Sequence, residues 1–330
     1  MIIRDKQDLR KCVKQCVRRA QVIETDAVLT MIQDEFGVEA NLKYWAPEAD
    51  SLQESFERAS AGSPFGEKPF RLIAALDALQ LPAHDLDKAE AIVKGYDRDA
   101  YLSGVLNAMR ARKVLVRTTL SELEIRAFTD ERFACMVAVD DSAFAPGRYG
   151  VDYERVAQQI AQAIHMSNAS DVMLTCFSES ALQYCMIPVC EDEHAVLHVH
   201  VASEEQRIAL FEVLKDHTDV RAIVSASEHL EHKLIGKAVS APNVLVQLCN
   251  TENIPYALRM LGMRFVPYAS GAHMPEDMLG GWIYAKEALW QAMYDAYLPL
   301  ARAGYELTRE RIEADVEMLL CGNYEKIHEW

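Results

Sequence analysis

Histidines next to short apolar runs are the residues of this chain best suited to chemistry. His198 and His200 lie two apart in one β-branched run, so both side chains point to the same face of a strand. His229 and His232 follow the next run at a spacing that places them on one helical face. Imidazole can exchange a proton near neutral pH or bind a transition metal. These pairs indicate acid–base or metal chemistry, and histidines packed in a core or on a solvated helix start are the structural alternatives.

Two further polar residues follow later runs. Asn250 is a candidate partner for a sugar hydroxyl, although the end of a run is also a common place for a helix cap. His273 is a candidate ligand contact or an ordinary loop residue. In a barrel, His200, His229 and His273 would all lie at the carboxyl ends of strands, where barrel enzymes build their sites. A rearranged three-histidine zinc site is therefore an open alternative, but sequence alone does not bring three loops within bonding distance.

The runs that must position these residues are short, apolar and rich in β-branched side chains. There are eight of them, at residues 21–29, 113–118, 133–140, 171–177, 195–202, 220–225, 243–248 and 263–268. Most intervals show helical periodicity, as at 153–164, 204–215 and 229–239. This alternation predicts an α/β protein with a parallel sheet covered by helices. Eight units favour a (β/α)8 TIM-type barrel over an open doubly wound sheet, and no glycine-rich phosphate-binding motif follows the early runs.

The chain divides into three segments on this interpretation. Residues 1–29 hold an N-terminal amphipathic helix and the first barrel strand. Residues 30–95 contain helical patterns at 51–59 and 70–79, broken by glycine and proline, and are predicted to be a helical insertion between the first and second strands. Residues 96–330 hold the remainder of the barrel and the closing helices.

Composition restricts the class of partner and the compartment. The chain has 330 residues and a formal net charge of −16, which argues against nucleic acid or an anionic membrane as a partner. Eight cysteines occur without a CxxC pair, as expected for core thiols in a reducing compartment. Neither a secretory signal nor an apolar run of membrane-spanning length is present, so we expect a cytoplasmic protein.

Five segments near the C-terminus occur in a distinctive order. They are Arg259-Met-Leu-Gly-Met-Arg-Phe-Val-Pro-Tyr268, Trp282-Ile-Tyr-Ala-Lys286, Ala303-Gly-Tyr-Glu-Leu-Thr308, Ile312-Glu-Ala-Asp-Val316 and Cys321-Gly-Asn-Tyr324. This order resembles the last strand and closing helices of the uronate (glucuronate) isomerases, a branch of the amidohydrolase superfamily. That family also carries a helical insertion between its first two strands, so the resemblance extends along most of the chain.

The resemblance implies interconversion of an aldose acid and a ketose acid. It also implies a divalent metal, held by two histidines of an Asp-x-His-x-His pattern after the first strand and an aspartate after the eighth. Here Asp26 matches the leading aspartate, but Val28 and Thr30 stand at the histidine positions. Gly271 stands at the position of the metal-binding aspartate, and His273 at that of an arginine that contacts substrate. Valine and glycine side chains cannot donate an electron pair to a metal, so we expect none at the usual family site.

Three hypotheses for function follow. The first is a divergent uronate-isomerase-like protein that lacks the metal-dependent isomerisation and binds a sugar acid through Asp26, His200, His229, Asn250 and His273, with no catalytic residue assigned. The second is an active glucuronate isomerase-like enzyme or metal-dependent hydrolase with a rearranged histidine site, which would use zinc or another divalent metal. The third is a purely structural partner. We expect a small-molecule sugar acid as the partner, no nucleic acid and no membrane, and we leave a homo-oligomer open.

Overall fold

In the computed structural model, eight strands form one parallel sheet in which each strand pairs with the next along the chain. The structure describes residues 3, 5–29, 53–54, 56–57, 67–120, 130–146 and 150–329. The strands are β1 (Val22–Ala27), β2 (Ala111–Thr119), β3 (Phe133–Val139), β4 (Asp171–Leu174), β5 (Val196–Val201), β6 (Ala222–Ala226), β7 (Val244–Gln247) and β8 (Phe265–Val266). Their residues are mostly buried on both faces, as expected of a parallel sheet covered by helices.

Helices precede the sheet, connect its strands and close the chain. They are α1 (Lys6–Arg19), α2 (Glu67–Ala78), α3 (Leu86–Lys94), α4 (Arg98–Met109), α5 (Tyr153–Ser167), α6 (Ile187–Glu193), α7 (Glu204–Asp216), α8 (Glu231–Ala238), α9 (Ile254–Leu261), α10 (Pro275–Arg302), α11 (Arg309–Glu317) and α12 (Asn323–His328). Within the described residues, no helix is both long enough and apolar enough to cross a membrane.

Local sequence explains where the helices begin. The Asp5 side chain accepts a hydrogen bond from the Asp8 amide at 2.8 Å and so caps α1. Ser203 and Gln206 form a capping box at the start of α7, each accepting a backbone N–H of the other. Along α1, residues at helical spacing face the core, namely Leu9, Cys12, Val13, Cys16 and Val17.

The sheet curls until its first and last strands approach each other, but β1 and β8 do not pair as strands. Loop atoms make the connection at one end: the Gly271 amide donates to the Asp26 carbonyl at 2.8 Å, and the Val28 amide donates to the Ala272 carbonyl at 2.9 Å. Thr25 Oγ1 donates to Gln247 Oε1 at 2.6 Å, which joins β1 directly to β7. The closed barrel expected from the sequence is therefore a curled sheet joined at its seam by loop and side-chain hydrogen bonds.

The physical reason lies in the two edge strands. β8 has only two paired residues, Phe265 and Val266, and is too short to support a second ladder. The pairing of β1 with β2 is irregular between Val22 and Ile23 and again between Glu24 and Ala27. Side chains then supply the missing connection, as described below for Glu24.

The expected secondary structure is otherwise confirmed where the structure describes it. All eight predicted runs contain strands, and the predicted helices at 153–164, 204–215 and 229–239 correspond to α5, α7 and α8. Helices α2 and α3 fall within the predicted insertion 30–95. Most of its first half lies outside the described residues; of the pattern at 51–59, residues 53–54 and 56–57 are described, and they are helical. All eight cysteines are free thiols, and five of them are buried, while Cys176 and Cys249 are exposed.

Candidate functional site

Polar side chains collect at the end of the sheet where the strands reach their carboxyl termini, which we call the mouth. Asp26 lies near the end of β1, and Arg117 lies near the end of β2. His200 is the next-to-last residue of β5 and pairs in register with Ser225 of β6. His273 follows β8. This placement is the one at which TIM-type folds build their sites.

The dominant feature of the mouth is an ion pair between Asp26 and Arg117, which we call the mouth pair. Arg117 Nε donates to Asp26 Oδ1, and Arg117 Nη2 donates to Asp26 Oδ2 at 2.6 Å. The Asp26 side chain is 10% exposed and the Arg117 side chain is 28% exposed, so the pair is largely shielded from water. Burial lowers the pKa of Arg117, but the hydrogen bonds and charge of Asp26 outweigh it and raise the pKa above its ordinary value. Both carboxylate oxygens are therefore held by a permanent cation.

Glu24 lies beneath the mouth pair and ties it to the β8 side of the seam. Its fully buried carboxylate accepts hydrogen bonds from the Asp26 amide at 2.8 Å, the Ser270 amide at 3.1 Å and Trp282 Nε1 at 2.9 Å. Burial raises the pKa of Glu24 to about 7, against hydrogen bonds from Ser270 and Asp26 that lower it. This one side chain joins β1, the loop after β8 and helix α10, and so positions the loop that carries His273.

His200 is held between two serines from the β6 side. His200 Nδ1 lies 3.0 Å from Ser225 Oγ, and Nε2 lies 3.4 Å from Ser227 Oγ. Burial lowers the pKa of His200, with the charge of Asp26 acting to raise it and that of Arg117 to lower it. The imidazole is therefore neutral near pH 7, with an orientation set by hydrogen bonds. A neutral, oriented imidazole suits hydrogen bonding to a ligand or proton transfer.

His273 belongs to the same electrostatic neighbourhood. Burial lowers its pKa, the charge of Arg117 lowers it further, and Asp277 and Asp26 oppose the shift. The side chain is half-buried on the loop between β8 and α10. The structure thus brings together three of the five residues predicted from the sequence, Asp26, His200 and His273, around Arg117.

The other two predicted residues are His229 and Asn250, and Asn250 has a local structural role. His229 is exposed on a 3-10 turn, Glu228–Leu230. Asn250 caps the turn after β7, where its side chain accepts from the Glu252 amide at 2.9 Å and donates to Glu228 Oε1 at 3.3 Å. His232 Nε2 lies 2.7 Å from Asn253 Oδ1. The sequence left two interpretations of Asn250 open, and its hydrogen bonds are those of the helix-cap interpretation.

Sequence reasoning missed Arg117, Glu24 and the two serines beside His200. A signal for Arg117 was present, because a cation within an apolar strand requires a buried partner or a site. Lys113 and Arg117 also share the alternation that places residues on one face of β2. The partner of Arg117 could not be read from the sequence, since Asp26 lies 91 residues away.

His198 lies towards the other end of the sheet, where it hydrogen-bonds a buried carboxylate. His198 Nε2 lies 2.9 Å from Asp171 Oδ1, at the first residue of β4, and Tyr324 Oη donates to Asp171 Oδ2 at 2.8 Å. His328 Nε2 lies 3.2 Å from the same carboxylate. Burial raises the pKa of Asp171, but hydrogen bonds from His198 and His328 outweigh it, so the pKa lies well below its ordinary range. We call these four residues the floor cluster; they fasten α12 to the sheet.

The mouth does not fit the divalent metal that the resemblance implies. Asp26, the one residue that matches the family pattern, has both oxygens engaged by Arg117. Val28 offers no side-chain donor, and Gly271 has a φ of +55°, which suits glycine at this turn; Thr30 lies outside the described residues. In the described part of the chain, no set of three or more histidine, cysteine, aspartate or glutamate side chains is arranged to hold a metal ion. A guanidinium at the carboxylate would also repel a cation.

Two solved structures share this fold. One is a uronate isomerase from Bacillus halodurans C-125, with a TM-score of 0.79 and 17% identity over 98% of this chain and 97% of that chain. The other is a provisionally assigned metal-dependent hydrolase from Lactobacillus casei ATCC 334, with a TM-score of 0.62 and 10% identity over 96% of this chain and 97% of that chain. No protein-family model and no curated protein sequence matches the chain. At these identities the likeness shows the fold, an α/β, TIM-like architecture, and function has to be argued from the site.

Proposed function

We propose that this chain is a uronate-isomerase-like protein whose mouth binds a sugar acid without the metal-dependent isomerisation. The observation that carries the proposal is the mouth pair. A guanidinium stands against the only carboxylate that matches the family's metal-binding pattern, so a fixed organic cation takes the position where a divalent ion would have to bind.

The charges of the mouth are compatible with an anionic, hydroxyl-rich ligand. Arg117 neutralises Asp26, so an incoming carboxylate does not meet a bare negative charge. Guanidinium carries five N–H donors in a planar arrangement that matches carboxylate geometry, and the hydrogen bonds to Asp26 use two of them. His200 and His273, both with lowered pKa, can accept or donate hydrogen bonds to hydroxyl groups as neutral imidazoles. Ser227, half-buried beside His200, is a further hydroxyl partner.

A second candidate function is an active enzyme centred on His200. Its supporting observation is the hydrogen bond between His200 Nδ1 and Ser225 Oγ, which fixes the ring, together with the lowered pKa of the imidazole. A neutral base held in one orientation is what a proton transfer between adjacent carbons requires. The rearranged three-histidine metal site stays a prediction, tested by metal analysis below.

The test is a ligand titration of the purified protein with D-glucuronate and D-galacturonate, read as the rise in melting temperature. We expect a concentration-dependent rise in the wild type. Arg117→Met should abolish it, whereas Arg155→Met, the same substitution at an exposed arginine of α5, should leave it unchanged. Metal content and D-glucuronate turnover are measured on the same preparation, and we expect neither stoichiometric metal nor isomerisation.

Each hypothesis has a separate outcome in this experiment. Turnover that a chelator abolishes, with a stoichiometric ion near Asp26, contradicts the proposal and favours the rearranged metal enzyme. Turnover that resists a chelator and disappears in His200→Gln favours the acid–base enzyme. An unchanged melting temperature with every uronate tested contradicts sugar-acid binding and leaves the structural partner.

A further inference from the structure

A cavity lies at the end of the sheet opposite the mouth. Its volume is about 650 Å³, within the range of pockets that hold drug-sized molecules. Arg221, Asn243 and Arg264 contribute to its wall, and each immediately precedes a strand, β6, β7 and β8 respectively. Lys326 and Ile327 of α12 also line it. The cavity is therefore built from strand amino ends and the closing helix, and shares no lining residue with the mouth.

The walls of this cavity are held by hydrogen bonds that do not depend on a ligand. Asn243 Nδ2 donates to the Val220 carbonyl at 3.0 Å. Asn323 Nδ2 donates to the Phe265 carbonyl at 2.8 Å. Arg264 Nη1 and Nη2 donate to the carbonyls of Ala241 at 2.9 Å and Ala238 at 2.7 Å. Such a preformed pocket would bind with little ordering cost.

The lining of the cavity has a net positive charge, whereas the whole chain has a net negative charge. Three lining side chains are cationic, Arg221, Arg264 and Lys326, and one described lining residue, Asp219, is acidic. Within the described chain, the hydrogen bonds of Arg264 all go to carbonyl oxygens, which satisfy its N–H groups without cancelling its charge. Lys326 is exposed and forms no ion pair with described residues. In a protein of net charge −16, this local excess of positive charge selects for an anion.

Part of the wall is apolar, and His194 and Thr218 are further polar lining residues. Val244, Leu245, Pro242 and Ile327 form the apolar part beside the cations. A small inorganic anion would leave this surface in contact with water, whereas an organic anion would bury it. We propose that the cavity is a binding site for an amphipathic organic anion, in which an apolar body of aryl or alkyl type packs on Leu245 and Ile327 and an acidic group faces Arg264 and Lys326.

The test uses two fluorescent probes of similar shape with the full chain. 1-Anilinonaphthalene-8-sulfonate carries an acidic group, and N-phenyl-1-naphthylamine lacks it. Lys326→Glu reverses one exposed charge, and by Coulomb's law at about 7 Å in water it should weaken sulfonate binding about sevenfold while leaving the amine unaffected. Lys11→Glu, the same change at an exposed position of α1, is the matched control and should bind both probes as the wild type does.

A second variant tests the location. Ile327→Trp places a larger side chain in the cavity wall and should reduce the affinity for both probes more than tenfold, with unchanged far-ultraviolet circular dichroism as evidence of folding. Absence of sulfonate binding in the wild type overturns the proposal. Equal sulfonate affinities in Lys326→Glu and Lys11→Glu also overturn it, as does full binding of both probes by Ile327→Trp.

Discussion

Glu24 gives the sharpest quantitative prediction, because its carboxylate is buried at the seam of the sheet. It accepts hydrogen bonds from the Asp26 and Ser270 amides and from Trp282 Nε1. Burial raises its pKa from 4.5 to about 7, despite these three donors. A proton is therefore bound more tightly in the folded state than in the unfolded state, which links the stability of the seam to pH.

The sign and size of the effect follow from that shift. For an acid whose folded pKa is raised, the folded state is most favoured below the unfolded pKa and loses stability as pH rises through the folded pKa. A shift from 4.5 to about 7 corresponds to about 3 kcal/mol, at about 1.4 kcal/mol per pKa unit. The wild type should thus lose about 3 kcal/mol of stability between about pH 4.5 and about pH 8 through Glu24 alone.

Glu24→Gln isolates this contribution, because it removes the titration while Asp171 and the histidines remain. In the variant, the NH₂ group of the amide faces a hydrogen-bond donor, which lowers the free energy of unfolding by an amount that does not depend on pH. Only the pH dependence of the stability difference from the wild type is therefore informative. We measure the free energy of unfolding in urea at several pH values for both proteins. The wild-type advantage should shrink by about 3 kcal/mol as pH rises.

If the stability difference between the wild type and Glu24→Gln changes with pH by less than about 0.5 kcal/mol, the reasoning is refuted. The pKa of Glu24 would then be the same in the folded and unfolded states, because the three hydrogen bonds would stabilise the ionised carboxylate as well as water does. Trp282→Phe is the companion variant. It removes one hydrogen bond that favours the ionised form, so the decline in stability should extend to higher pH than in the wild type.

Three further predictions concern packing and ion pairs. Gly280→Ala would place a Cβ 2.2 Å from a backbone carbonyl oxygen of α2 and should lower the unfolding free energy by about 2–3 kcal/mol. The control, Gly236→Ala, lies in open space within α8 and should raise the unfolding free energy by about 0.5–1 kcal/mol. Similar effects of the two substitutions in urea unfolding would contradict the close approach of α2 and α10. A double-mutant cycle of Arg117→Met and Asp26→Asn should give a coupling energy of about 2 kcal/mol, and additive losses would show that the mouth pair is not formed in solution. Tyr324→Phe removes a hydrogen bond to the buried carboxylate of β4 and should cost about 1–2 kcal/mol in thermal unfolding, and an unchanged melting temperature would contradict the floor cluster.

Much of the architecture could be predicted because local patterns of apolar residues determine it. Near-continuous apolar runs such as 133–140 and 195–202 identify β3 and β5, since a parallel strand is buried on both faces. The same reasoning overestimated the last strand, where only Phe265 and Val266 pair. Hydrophobicity predicts burial, but the length of a ladder depends on backbone partners in a neighbouring strand, and these are not visible in one segment.

Some properties of the mouth follow from the sequence alone, and others follow only from the tertiary structure. Residue types alone establish that Val28 and Gly271 offer no metal-binding side chain, because this follows from their chemistry in any fold. Pairing Asp26 with Arg117 required the tertiary structure, since β1 and β2 are joined only after a long intervening segment of chain. The seam likewise depends on Glu24 reaching an amide 246 residues away. Local propensity acts over a few residues, whereas the electrostatics of a buried charge are decided by whichever side chains folding brings within hydrogen-bond distance.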